Sequence, residues 1–327
     1  MRNILFLVMV FLLFNACKEG TKETKAPETS TVVPDTVSPE NSILEGNYTD
    51  ESYAKRSEGY DWVGVSIRTL DENSISVSVR SRADKKRPTC TFDTKAYKEK
   101  SNVFRGVYDG HAILFSFSEG ALEISSEDEF VLSFFCNGGA SLAGIYNKIE
   151  GSLDESQVDP TSFSKVLNLQ GIGFNVSAAP KNKGNILSIY TLGLEGKDYN
   201  EAFTITGEEV VDAEVEDLNS DGSPELLVFT QSKGSGSYGK VYAFSVNNMK
   251  SMSQVYFPPI SENKNINQGY MGHDEFSLIE NTLVHRFPIY KAGDTNAAPT
   301  GGTRQIGYKL VEGEAMRKLE VASVSEY

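Results

Sequence analysis

The segment Lys233-Gly234-Ser235-Gly236-Ser237-Tyr238-Gly239 admits two kinds of chemistry. Gly234-x-Gly236-x-x-Gly239 has the spacing of a dinucleotide-binding turn, where glycines let the backbone close on a pyrophosphate at a helix N-terminus. The residues that follow argue against it, since Lys240-Val241-Tyr242-Ala243-Phe244-Ser245-Val246 alternates like a strand and supplies no helix. The other chemistry is recognition. Glycines allow close backbone approach, Ser235 offers a compact hydroxyl, and Tyr238 is a rigid amphipathic ring of the kind that dominates interface energetics. A flexible hairpin tip with one exposed tyrosine is the plainer reading. Catalysis finds little to use. There is no His-Glu-x-x-His and no Gly-x-Ser-x-Gly. His111 reads as a half-buried residue beside a strand, and His273 and His285 as strand-end packing. The chain reads as a non-enzyme.

A second loop could hold a metal. Asp217-Leu218-Asn219-Ser220-Asp221-Gly222-Ser223-Pro224-Glu225 places oxygen side chains at relative positions 1, 3, 5 and 9 with glycine at 6, the opening of an EF-hand loop. The bidentate glutamate expected at position 12 is absent, because Val228 stands there. The spacing is similar to the shorter calcium loops in β-hairpins of integrin-type repeats. On that reading Asp217, Asn219, Asp221 and Glu225 ligate calcium, with the Ser223 carbonyl as a further oxygen. Asn, Asp, Gly and Pro also favour turns without metal, so both readings stand. No cofactor is required by either.

The cysteines sort by position. Ile4–Phe14 is an unbroken apolar run behind Arg2, closed by Asn15, Ala16 and Cys17. This is a secretory leader, too short to span a bilayer, and its end resembles the bacterial lipobox. Cleavage after Ala16 leaves Cys17 as an acylated first residue and the membrane as a partner through that lipid, with the outer membrane and its periplasmic face as the expected address. Surface exposure is the other option. Cys90 and Cys136 then remain in an oxidising compartment and are expected to pair as a structural disulfide.

These residues need elements to hold them. Residues 17–43 have no aromatic residue and are dense in Thr, Glu, Pro, Ser and Lys, which makes a disordered tether of roughly 28 Å mean span. From Leu44 short period-2 runs begin. Trp62–Ile67 and Ile75–Val79 flank an Asp71-Glu72-Asn73 turn, and Ala112–Phe117, Ala121–Ile124 and Phe130–Phe135 read as further strands. Gly-x-Tyr recurs at Gly46, Gly106 and Gly144, as though marking strand starts. Residues 44–150 are therefore expected to form a small antiparallel barrel or sandwich, joined through the polar linker 150–164 to a second unit, 163–327. There, strand-like runs from Val166 to Leu310 predict an antiparallel β-sandwich. The fold class is all-β, in two domains.

Within that second unit, Ser235-Gly236-Ser237-Tyr238 matches the Ser-Gly-x-Tyr loop of the periplasmic inhibitors of invertebrate-type (i-type) lysozyme. The acidic turn one strand upstream resembles that family as well. So do Gln268-Gly269-Tyr270-Met271-Gly272-His273-Asp274-Glu275-Phe276 and Pro299-Thr300-Gly301-Gly302 downstream. The resemblance covers about residues 163–325. It implies an inhibitor whose loop Ser235, Gly236, Ser237 and Tyr238 enters the lysozyme cleft and blocks substrate. The preceding unit departs from the family's single-domain pattern.

Charge agrees with such a partner. Lys+Arg 31 against Asp+Glu 45 leaves the chain at −14, which disfavours sequence-independent nucleic-acid binding and favours attraction to a basic enzyme. The rival is a calcium-dependent cell-surface binding module for a glycan or protein partner. The sequence leaves the oligomeric state open.

Overall fold

The computed structural model describes residues 44–181 and 184–327. The leader, Cys17 and the tether lie outside the described residues. Eight strands form a closed antiparallel barrel: β1 (Gly46–Thr49), β2 (Val63–Asp71), β3 (Ser74–Ser81), β4 (Thr91–Lys100), β5 (Val103–Tyr108), β6 (His111–Ser118), β7 (Ala121–Ser125) and β8 (Gly144–Ile149). Closure comes from β1 pairing with β8, which leaves no free edge. Alternate residues fill the interior, among them Val65, Ile67, Ile75, Phe104, Phe115 and Leu122. Tyr48 and Tyr146, the tyrosines of two Gly-x-Tyr repeats, are both buried, in the adjacent strands β1 and β8. Each donates its hydroxyl to a carbonyl four residues back, Leu44 and Leu142 (2.8 and 2.9 Å). The third repeat ends β5 rather than starting a strand.

One expected strand is a helix. Phe130–Phe135 falls in α1 (Glu129–Phe134), with Asp128 capping it by accepting from the Phe130 N–H (2.9 Å). One and a half turns are too short to show a 3.6-residue period, and Val131 and Leu132 plug the barrel while Phe130 and Phe134 face out. Cys90 and Cys136 form the expected disulfide, tying the end of α1 to the start of β4.

The polar stretch after β8 is packed rather than loose. Leu153 lies against Tyr53 and Trp62, and Gly64 makes room for it, since a Cβ there would sit 2.7 Å from the leucine. Arg80 grips the Asp93 carboxylate with two nitrogens (2.8 and 2.7 Å) and donates to the Thr161 carbonyl (2.6 Å). Asp93 also accepts from the Ser164 N–H (2.7 Å). Few apolar residues sufficed here because polar pairs do the fastening.

Beyond it come three four-stranded antiparallel meanders: β9 (Phe163–Leu169), β10 (Ile172–Lys181), β11 (Gly184–Leu192) and β12 (Asn200–Ile205); β13 (Glu208–Glu216), β14 (Glu225–Ser232), β15 (Gly239–Asn247) and β16 (Ser251–Val255); and β17 (Glu275–Ile279), β18 (Thr282–Pro288), β19 (Thr303–Val311) and β20 (Lys318–Glu326). The middle sheet is apolar on both faces. Leu226, Val228, Phe244 and Val246 share one core with Phe174, Val176, Leu187 and Ile189 of the first sheet. Leu227, Phe229, Val241 and Ala243 share another with Leu283, Phe287, Ile306 and Tyr308 of the third. The expected sandwich thus has three layers. A doubly covered strand reads as a continuous apolar run, and Leu226-Leu227-Val228-Phe229 is one.

Candidate functional site

Residues 233–238 connect β14 to β15 and form the tip of that central hairpin. Ladder pairing ends at Gln231 and Gly239. Above it the Ser232 N–H donates to the Tyr238 carbonyl (2.8 Å), and the Ser232 hydroxyl accepts from the Tyr238 N–H (2.8 Å). A turn closes the tip, with Ser237 N–H on the Gly234 carbonyl (3.0 Å) and Ser237 at φ 40°. The Tyr238 ring folds back over Gly236, where a Cβ would meet the ring at 2.5 Å. That contact is a physical reason for glycine two residues before the tyrosine.

Two further segments hold this tip, residues 267–274 ahead of β17 and residues 289–302 between β18 and β19. The three successive carbonyls of the loop are all engaged. Ser235 O accepts from Asn296 Nδ2 (2.7 Å), Gly236 O from the His273 N–H (2.6 Å), and Ser237 O from the Asp274 N–H (3.3 Å). Gly272, at φ +89°, lies so close that a Cβ would be 2.1 Å from the Gly236 oxygen. The 291–300 loop is closed by Asp294, which accepts from the Lys291 and Thr300 N–H groups; those bonds hold its carboxyl below the usual range. Residues 272–274 thus buttress the hairpin tip directly, and Thr300 closes the loop from which Asn296 reaches it.

Beneath the tip lies a buried polar group. The Asp274 carboxylate accepts from the Gly239 N–H (2.7 Å) and the Tyr270 hydroxyl (2.7 Å), and its other oxygen contacts His285 Nε2 (2.6 Å). Burial, then the neighbouring carboxylate, raises the Tyr270 hydroxyl far above its ordinary pKa and keeps it a donor. His285 is not strand-end packing: it sits inside β18, buried, facing the same core as Leu283 and Phe287. Period-2 alternation along Leu283-Val284-His285-Arg286-Phe287 was the signal that could have placed it. His273 pairs with Asn296 (3.2 Å), and His111 is exposed and pairs with Asp128. Ser235 and Tyr238 remain exposed, Tyr238 at 47%. It meets Tyr270 edge-on at 5.9 Å. The tip presents a hydroxyl and a supported aromatic ring, which suits binding rather than proton or acyl transfer.

The acidic turn lies between β13 and β14, at the other end of the β14–β15 hairpin. Its carboxylates look inward. Asp217 accepts from the N–H groups of Asp221 (3.0 Å) and Gly222 (2.9 Å). Asp221 accepts from the Ser223 N–H (2.9 Å) and the Asn219 amide (2.8 Å). Glu225, buried, accepts from the Leu218 N–H (2.9 Å) and the Ser245 hydroxyl (2.7 Å). The Arg317 guanidinium reaches Asp221 at 2.9 Å and Glu225 at 3.6 Å, so an arginine supplies the positive charge that calcium would bring. Among the described residues no group of three or more His, Cys, Asp or Glu side chains is arranged to hold a metal ion. We expect equal melting temperatures in calcium and in chelator; a rise confined to calcium would favour the metal reading, with Asp217, Asn219, Asp221, Ser223 and Glu225 as ligands.

Glu225 also sets a pH dependence. Burial pushes its carboxyl from 4.5 up to about 7, against the opposing hydrogen bonds from Ser245 and Leu218. The folded state then binds more protons than the unfolded state between about pH 4.5 and 7, so this group's contribution to stability falls as pH rises through that window. The expected loss is on the order of 3 kcal/mol. Glu225→Gln should flatten that slope in denaturant titrations, and an unchanged slope would assign the effect elsewhere.

The family model for the periplasmic lysozyme inhibitor of I-type lysozyme matches residues 188–264, which contain the acidic turn and the 233–238 tip but not the 267–302 buttress. No curated protein matches the chain. Among solved structures, the crystal structure of an endo-1,4-beta-xylanase from Bacteroides thetaiotaomicron VPI-5482 is similar at 8% identity and TM-score 0.29, covering 86% of this chain and 96% of that one. A superposition that loose bears on neither site nor chemistry.

Proposed function

We propose that the protein inhibits i-type lysozyme by inserting the 233–238 hairpin tip into the enzyme's catalytic cleft. The observation that carries this reading is the anchoring of three successive loop carbonyls, at Ser235, Gly236 and Ser237, by Asn296, His273 and Asp274. A loop fixed in this way presents Ser235 and Tyr238 with little ordering cost left to offset on binding. The family match over residues 188–264 supports the same reading.

The chemistry is complementary. A lysozyme cleft carries two carboxyl groups, and the hydroxyls of Ser235 and Tyr238 donate hydrogen bonds without adding negative charge. The surface at −14 attracts a basic enzyme and speeds encounter. Export and acylation at Cys17 belong to this proposal, because a tethered inhibitor at the periplasmic face of the outer membrane stands where the enzyme attacks cell wall.

The test is lysis of a peptidoglycan substrate by i-type, chicken-type and goose-type lysozymes with the mature full chain added. Inhibition of the i-type enzyme is expected. No inhibition of any class would overturn the proposal.

A further inference from the structure

We infer that Asp274 and His285 form a positioning pair that sets the Tyr238 ring for the partner, a role that rests on the loop being the inhibitory element. Asp274 is buried, with its side chain fully enclosed, and a carboxylate there is costly unless its oxygens are satisfied. The three donors that reach it are not interchangeable. Gly239 N–H is the first residue of β15 after the loop. The Tyr270 hydroxyl belongs to the ring that supports Tyr238 edge-on. His285 lies in the floor of the core beneath. One carboxylate thus joins the loop's exit, the support of its aromatic residue and a core strand.

His285 is the fixed end. Its ring stacks on Phe276 at 4.3 Å and lies near Phe287 at 5.1 Å and Tyr308 at 6.5 Å. Its Nδ1 is buried without a hydrogen-bond partner, and Nε2 is the nitrogen that faces the Asp274 carboxylate and donates to it. An unpaired buried nitrogen is destabilising, and an apolar residue would pack in that aromatic cage without this cost. What the histidine adds is direction: it holds the carboxylate so that the other oxygen meets Gly239 and Tyr270 together. A buried polar pair is a weak source of stability, and here its contribution is the geometry it imposes on the loop.

The test measures inhibition constants and amide exchange at residues 233–240 for five folded variants of the mature chain. Asp274→Asn should weaken inhibition about 30-fold and His285→Phe about 10-fold, with faster exchange confined to the loop. His285→Gln, whose amide can donate from near the place of Nε2, should restore most of it. Asp274→Asn combined with Tyr238→Ala should be weaker than wild type by less than the product of the single effects, since one acts through the other. A purely structural role would lower stability for Phe and Gln alike and give no such coupling. If Tyr238→Ala weakens inhibition while Asp274→Asn and His285→Phe leave inhibition and loop exchange unchanged, the pair is only packing and the loop reading survives. If Tyr238→Ala has no effect, the loop reading falls and this inference with it.

Discussion

Tyr238→Ala should raise the inhibition constant for i-type lysozyme by about 30- to 1000-fold, a loss of about 2–4 kcal/mol. The magnitude follows from the ring's surroundings. One side rests over Gly236 and against Tyr270, so the ring is held before the partner arrives, and the other side is open. Binding energy in such interfaces concentrates in a few central, preorganised residues. Ser235→Ala should cost less, about 1–2 kcal/mol, because one hydrogen bond is lost and the partner group can rehydrate in part. Neither change removes a buried core residue, so circular dichroism and melting should stay near wild type. Reducing negative charge at distant surface positions should slow association and flatten its salt dependence. A Tyr238→Ala variant that is folded and inhibits as well as wild type would remove the loop from the mechanism.

The tip was legible in the sequence because it announces itself locally. Glycine and serine break the ladder between two apolar runs, and Tyr238 is the one aromatic side chain in the break. Its supports were not legible for a reason of distance. Asn296 binds the Ser235 carbonyl across 61 positions of chain, and no local pattern marks an asparagine in a polar loop as a partner of that carbonyl. Gly272 shows the same limit from the other side. Its glycine is demanded by a positive φ and by the Gly236 oxygen 2.1 Å from where a Cβ would stand; the motif contains it, but spacing alone cannot supply the reason.

The acidic turn was legible as a turn, whereas its ion pair with Arg317 was not. The arginine that neutralises Asp221 lies 96 positions away, beyond any motif that stops at Glu225. The helix α1 was misread because six residues hold no period that separates helix from strand, and the side chain of Asp128, which decides the matter, looks like one more turn residue. The number of layers was not legible for a related reason. The run Leu226–Phe229 says that both faces of a strand are covered, but not that the covers are two sheets of the same chain.

Reducing the Cys90–Cys136 disulfide should destabilise the barrel by about 4 kcal/mol while leaving the inhibitory tip in place. The bond spans 46 positions, and in the chain-entropy model a loop that long restricts the unfolded ensemble by about that amount. Its location decides what is lost. Cys90 is fully buried beside β4, and the segment around Cys136 pairs with it through Thr91 N–H on the Phe135 carbonyl (3.2 Å) and Asn137 N–H on the Thr89 carbonyl (2.7 Å). Without the bond, α1 is held to the barrel by Val131 and Leu132, by Phe134 and Phe135 against Tyr108 and Phe92, and by those two hydrogen bonds. The tip depends on β14, β15 and residues 267–302, none of which belongs to the barrel. Dithiothreitol, or Cys90→Ala with Cys136→Ala, should therefore lower the denaturant midpoint and speed amide exchange in β3, β4 and α1. At temperatures where the reduced chain stays folded, i-type lysozyme should be inhibited as before. An unchanged midpoint would mean that the barrel core alone fixes α1. Inhibition lost together with the disulfide, in a chain still folded, would show that the barrel contributes directly to gripping the enzyme.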